Sequence, residues 1–119
     1  MSNFSSVEML QGYLKVLNDR QQMIVSNMAN IDTPGYHTKD LNFQAAIRRV
    51  MDEGDSESSA ALEPASLETQ GLPERPDGNN VSVDRESMLL AQTQLQFQLG
   101  VQLVKSQLHM VLSAIKDGN

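Results

Sequence analysis

The chain is 119 residues long, contains no Cys or Trp, and carries a formal net charge of −6. That length allows one domain with a modest core, and the missing Cys excludes a disulfide framework and a Cys-based zinc site. Eight acids and one base lie between Asp52 and Asp77, so the rest of the chain is almost neutral and has no basic patch of the kind that nucleic-acid binding needs.

The N-terminal residues lack the basic start and unbroken apolar run of a cleavable signal peptide. No uncharged apolar stretch of membrane-spanning length follows. If the protein leaves the cytoplasm, it is expected to do so with its N-terminus uncut.

The first predicted element is a helix over about residues 7–32. Val7, Leu10, Leu14, Leu17, Gln21, Ile24, Met28 and Ile31 recur alternately three and four residues apart, the heptad seam of a coiled coil. Gln21 is the one polar member, read either as a partly exposed position or as a register-setting one. The helix stops because Pro34 disfavours helical geometry at Thr33 and cannot donate a backbone hydrogen bond. Gly35 completes a Pro-Gly turn signal.

A turn and short helix are expected over 33–51, with Phe43, Ile47 and Val50 on one face. Residues 52–80 combine Gly, Pro, Ser and Glu with few large apolar side chains. They are expected to form a flexible acidic loop. Asp77-Gly78 is a candidate hairpin turn, with Val81 and Val83 as a short strand after it.

The final element is a helix over 84–116, with Asp84 as its expected N-cap and Val83 and Met88 as a hydrophobic staple. Residues 94–103 alternate polar and apolar as a strand would. The length of the segment and its Leu-rich rather than β-branched apolar positions favour helix. It has two apolar stripes. Leu90, Phe97, Val101, Val104, Leu108, Val111 and Ile115 fall within about 40° of one direction. Met88, Leu95, Leu99, Leu103 and Met110 lie on the other side. The N-terminal helix can cover one stripe, and the second is expected to meet other chains. The expected fold class is therefore mainly all-α: two long terminal helices paired as an antiparallel coiled-coil-like hairpin, an irregular acidic middle, and a possible short β-hairpin, all within one domain.

Chemistry is hard to place on this chain. His37 and His109 are its only histidines, neither with an acid at helical ligand spacing, and no glycine-rich phosphate loop exists. No catalytic residue, cofactor, metal or small-molecule substrate is expected.

The run Ala29-Asn30-Ile31-Asp32-Thr33-Pro34-Gly35-Tyr36, preceded by Asn27, resembles the N-terminal signature of the flagellar rod, hook and hook-associated axial proteins. Asp77-Gly78-Asn79-Asn80-Val81, Asp84-Arg85-Glu86 and Leu108 to Ile115 are similar to the short proximal rod subunits of that family. The resemblance implies a structural part of the bacterial flagellar basal body, the proximal rod within the cell envelope, required for motility. It marks Asn27, Ala29, Asn30, Thr33, Pro34, Gly35 and Tyr36 as an assembly signature. Helix packing is expected through Leu10, Leu14, Leu17, Ile24, Met28 and Ile31 and through the stripe from Leu90 to Ile115, and the resemblance implies that the two terminal helices pair into a coiled coil. The implied partners are other rod subunits including further copies of itself, a membrane-ring protein with its rod adaptor, and the flagellar type III export apparatus. Phe43 and Ile47 fit the family's Phe-x-x-x-apolar export-gate element, and equally one face of a short helix. Tyr36 offers a ring for anchoring the turn to a neighbour. A cytoplasmic export chaperone or coiled-coil adaptor is the alternative, which has no need of the Thr33-Pro34-Gly35-Tyr36 run.

Overall fold

A computed structural model describes residues 3–53 and 66–117. The elements in order are helix α1 (Asn3–Ala29), strand β1 (Lys39–Leu41), helix α2 (Phe43–Glu53), strand β2 (Ser66–Glu68) and helix α3 (Val83–Asp117). The molecule is mainly α and elongated, with extents of 69 × 27 × 19 Å. The expected acidic loop falls partly on residues 54–65, which lie outside the described residues.

The two long helices run side by side, and α1 against α3 is the most extensive contact between elements. Asn27 near the end of α1 touches Glu86 near the start of α3, whereas Leu14 meets Gly100. Rising numbers on one helix therefore match falling numbers on the other, which makes the pair antiparallel. Given that register, α3 runs about a turn or more past the start of α1.

The centre of the seam differs from the apolar stripe expected for α3. The buried residues there are Glu86, Leu89, Thr93 and Gly100. Leu90, Phe97, Val101, Val104 and Val111 are half-buried at its flank, and Leu108 and Ile115 are exposed. The reason is close approach. An added Cβ on Gly100 would stand 2.7 Å from Leu14 Cδ2, so small residues sit at the axis and larger ones are displaced beside it. On α1, Leu17 and Ile24 are fully covered, while Leu10, Leu14 and Met28 are half-buried, as is Ile31 just past its end.

A second face of α1 carries a smaller core. Val16, Leu41 and Val50 are buried together, with Met23, Phe43, Ala46 and Ile47 packed against them. Here too a glycine sets the spacing, since a Cβ on Gly12 would lie 2.7 Å from Val50 Cγ1. The Tyr13 and Phe43 rings meet edge to face at 6.5 Å, and the Arg20 guanidinium lies 5.2 Å over the Phe43 ring. Helix α2 starts at Phe43, where Asn42 caps it by accepting from the Ala45 amide at 3.2 Å.

Several local expectations need correction. The hairpin is not at Asp77-Gly78. The antiparallel pair is β1 with β2, in register Lys39 to Glu68, Asp40 to Leu67 and Leu41 to Ser66. Asp77-Gly78 does turn, with Gly78 at φ 84. No strand follows because side chains take the groups a ladder would use: Val81 N–H donates to Asn79 Oδ1 and Thr38 N–H to Asn80 Oδ1. The N-cap of α3 is Ser82, not Asp84. Ser82 Oγ accepts from the Arg85 amide at 3.2 Å, and α3 already includes Val83. With the cap moved, Val83 and Met88 are both exposed and make no staple. The described part of the acidic segment, 66–80, is not a loose loop but is tied to the turn after α1, as follows.

Candidate functional site: a clamped turn and an apolar face

Helix α1 unwinds in steps. The Asn30 amide is shared between Ser26 O and Asn27 O at 3.2 Å each, and Thr33 N–H donates to Asn30 O at 3.1 Å. These shorter bonds tighten the last turn before Pro34 forbids more helix. Gly35, at φ 76, then takes a conformation that L side chains resist.

Asn27 is 1% exposed and uses its whole side-chain amide. Its Oδ1 accepts from Tyr36 Oη at 3.0 Å and from the Lys39 amide at 3.1 Å. Its Nδ2 donates to Lys39 O at 2.8 Å and to Glu86 Oε2 at 3.3 Å. One side chain thereby joins α1, the turn, β1 and α3. Glu86 is 0% exposed, and Arg85 Nη1 donates to its other oxygen at 2.8 Å. Asp40 lies between Arg20 Nη2 at 3.2 Å and Arg85 Nη2 at 3.9 Å. Such a burial of carboxylates is tolerable only with this degree of pairing.

From the other side, residues 75–81 close over the turn. Asn79 is fully buried. Its Nδ2 donates to Asn30 O at 2.9 Å and Thr33 O at 2.8 Å, carbonyls that each also accept one turn amide but no further helical bond. Gly35 N–H donates to Asp77 O at 2.8 Å, and Asn80 N–H to Tyr36 O at 3.3 Å. Thr38, also fully buried, donates through Oγ1 to Asn80 O. Arg75 reaches Ile31 O through Nη2. His37 sets one ring nitrogen 3.4 Å from Glu68 and the other 3.1 Å from Glu74, tethering the acidic segment.

The signature residues are thus largely engaged within the chain. Asn30 Nδ2 donates to Ser26 O and its Oδ1 accepts from Thr33 Oγ1. Tyr36, expected to reach a neighbour, spends its hydroxyl on Asn27, with Lys39 Nζ 5.9 Å over its ring. Ala29, Thr33, Pro34 and Gly35 are exposed at the tip. Sequence reasoning missed Glu86, Thr38 and the pairing of His37 with Glu68 and Glu74, because these partners are far apart in the chain. The stretch from Asp77 to Val81 was visible as a motif, but its contact with the turn was not.

Phe43 and Ile47 are half-buried against the smaller core. The other side of α3 is uncovered: Leu95 is 58%, Leu99 57% and Leu103 54% exposed, with Met88 and Met110 also open. Leu103 also edges an apolar groove of about 390 Å3 between α1, α2 and α3, whose floor includes Met9, Tyr13 and Val50. No described helix is long and apolar enough to cross a membrane. Among the described residues no three His, Asp or Glu side chains gather as metal ligands would. The described residues form a hairpin with a clamped base and a leucine-rich outer face.

No protein-family model matches the sequence. The chain is 31% identical to flagellar basal body rod protein FlgB of Escherichia coli K12, over 92% of this chain and 91% of that protein. It is 32% identical to FlgB of Bacillus subtilis 168, over 99% of both. FlgB of Yersinia enterocolitica is 27% identical over 91% of each.

Proposed function

The chain belongs to the FlgB family of flagellar basal body rod proteins, and from that premise we propose that it is a structural, non-catalytic subunit of the proximal rod. The subunit joins the axial shaft between the membrane ring and the more distal rod and hook, and motility depends on it. Its partners are other rod subunits including further copies of itself, the membrane-ring protein and its rod adaptor. It reaches the periplasmic part of the basal body through the flagellar type III export apparatus, with its N-terminus uncut.

The observation that carries this reading beyond family membership is the open face of α3. Leu95, Leu99 and Leu103 lie along one side of a helix whose other side is already packed. Fully burying an exposed leucine contributes about 1.5–3 kcal/mol, and a single chain of this fold leaves roughly half of that unused at each of the three. Docking into a growing rod covers that face against neighbouring subunits. The same geometry bears on export. Phe43 and Ile47 contribute to the core of the folded subunit, so an export gate reads that pair only on an unfolded chain.

The experiment is mass spectrometry of purified hook–basal bodies, with a deletion strain tested for swimming. Stable presence in the particles and loss of swimming on deletion are expected. A chain confined to the cytosol in complex with another flagellar protein would overturn the proposal.

A further inference from the structure

Helices α1 and α3 are joined by a long excursion, from the end of α1 at Ala29 to the start of α3 at Val83. A short loop between helices sets their relative position, but a connection of this length does not. The seam does so at few points. The heptad-spaced apolar residues of α1, and those flanking the axis of α3, recur after a slip of one heptad, roughly 10 Å along the axis, and Gly100 marks one offset only where Leu14 comes close. Something non-periodic has to choose among these offsets.

We propose that Asn27 and Asn79 are register-setting residues, which hold α1 against α3 at one of several offsets that the apolar seam alone would accept. Both are buried, at 1% and 0% exposure. Neither belongs to a repeating pattern. Asn27 is bound on all its side-chain groups, one of them to Glu86 on α3. Asn79 lies three residues before the Ser82 cap of α3 and holds the carbonyls of Asn30 and Thr33 just after α1. A slip of one heptad would strip both Asn79 donors and leave the buried Glu86 without Asn27. The backbone crossing reinforces the choice, because a Cβ on Gly78 would stand 3.4 Å from Gly35 Cα. The consequence is axial: the register decides at what height along the hairpin Leu95, Leu99 and Leu103 are presented. This inference stands on the geometry alone and does not depend on the rod reading.

The chain has no native cysteine, so engineered pairs report register cleanly. Leu14→Cys with Gly100→Cys reads the observed register, since those positions touch. Leu14→Cys with Gln107→Cys or Thr93→Cys reads a one-heptad slip in either direction. In the otherwise native chain, oxidation is expected to close the first pair at least ten-fold more than the other two. Combining Asn27→Asp and Asn79→Asp removes the amide donors with almost no change of shape. The variant is expected to keep its helical circular dichroism while one of the slipped pairs rises to within a few-fold of the first. Continued dominance of the 14–100 pair would overturn the proposal. Should the paired charges unfold the variant, Asn79→Ala adds none and is read in the same way. Loss of helix there too would also overturn it, since the residue would then be supporting the fold and not selecting a register.

Discussion

Single residues at the base of the hairpin carry more than their size suggests. Asn79 replaces, for α1, the hydrogen bonds that the next helical turn would have made. Asn79→Ala should cost about 1–3 kcal/mol through the hydrogen bonds lost to Asn30 O and Thr33 O and the Val81 amide left without its acceptor, read as a lowered thermal midpoint. Gly35 and Gly78 both hold positive φ, and alanine at either should cost about 1–2 kcal/mol for left-handed geometry. Asp19 makes a pH-dependent case. Burial pushes its carboxyl above the ordinary range, and Lys15 partly opposes that. A raised folded value means that the ionised form is disfavoured in the native state at neutral pH. Asp19→Asn should therefore raise the thermal midpoint slightly at pH 7. The gain should disappear as pH falls through the raised value toward the ordinary one, where the carboxyl is protonated folded or unfolded. At this scale the sequence announced half of each contact. Asn27, Pro34 and Gly35 stand out in a recognisable run, but nothing local in Asn79 or Glu86 states what it meets across the fold.

At the scale of elements, two glycines govern helix spacing with different tolerance. A Cβ at Gly12 faces Val50 Cγ1 at 2.7 Å, and a β-branched side chain has few rotamers in which to yield. Gly12→Ala should destabilise by about 1–3 kcal/mol through overpacking. At Gly100 the facing atom is Leu14 Cδ2, the end of a more flexible chain. Gly100→Ala gains about 1 kcal/mol of helix propensity and should come out near neutral. Paired chemical denaturation curves distinguish the two. The long helices were legible because heptad spacing persists over many turns, and Pro34 with Gly35 stops the first. The exact seam on α3 was not, since hydropathy ranks Leu108 above Gly100 and Thr93 although closeness of approach favours the small residues. The β1–β2 pair escaped notice because three-residue strands carry no periodicity, and the strand expected at Val81 gave way to asparagine side chains that take the ladder's hydrogen bonds.

The whole molecule is a hairpin with one side packed and one side open. Glutamines such as Gln94 and Gln98 on α3 are exposed beside the open leucines, a surface that water tolerates and a neighbouring helix can still bury. Most of the signature's hydrogen-bonding capacity is spent within the chain, so the proposed assembly rests on the outer face of α3. The measurement that tests this most directly compares hook–basal bodies from cells making the native chain and the Leu99→Asp, Leu103→Asp variant. Both side chains are more than half exposed, Leu103 at the edge of the groove, so the variant should keep the helical circular dichroism of the native chain. The account predicts that it is absent from purified particles and that its cells do not swim. A variant recovered in the particles at native abundance, in cells that swim normally, would contradict it.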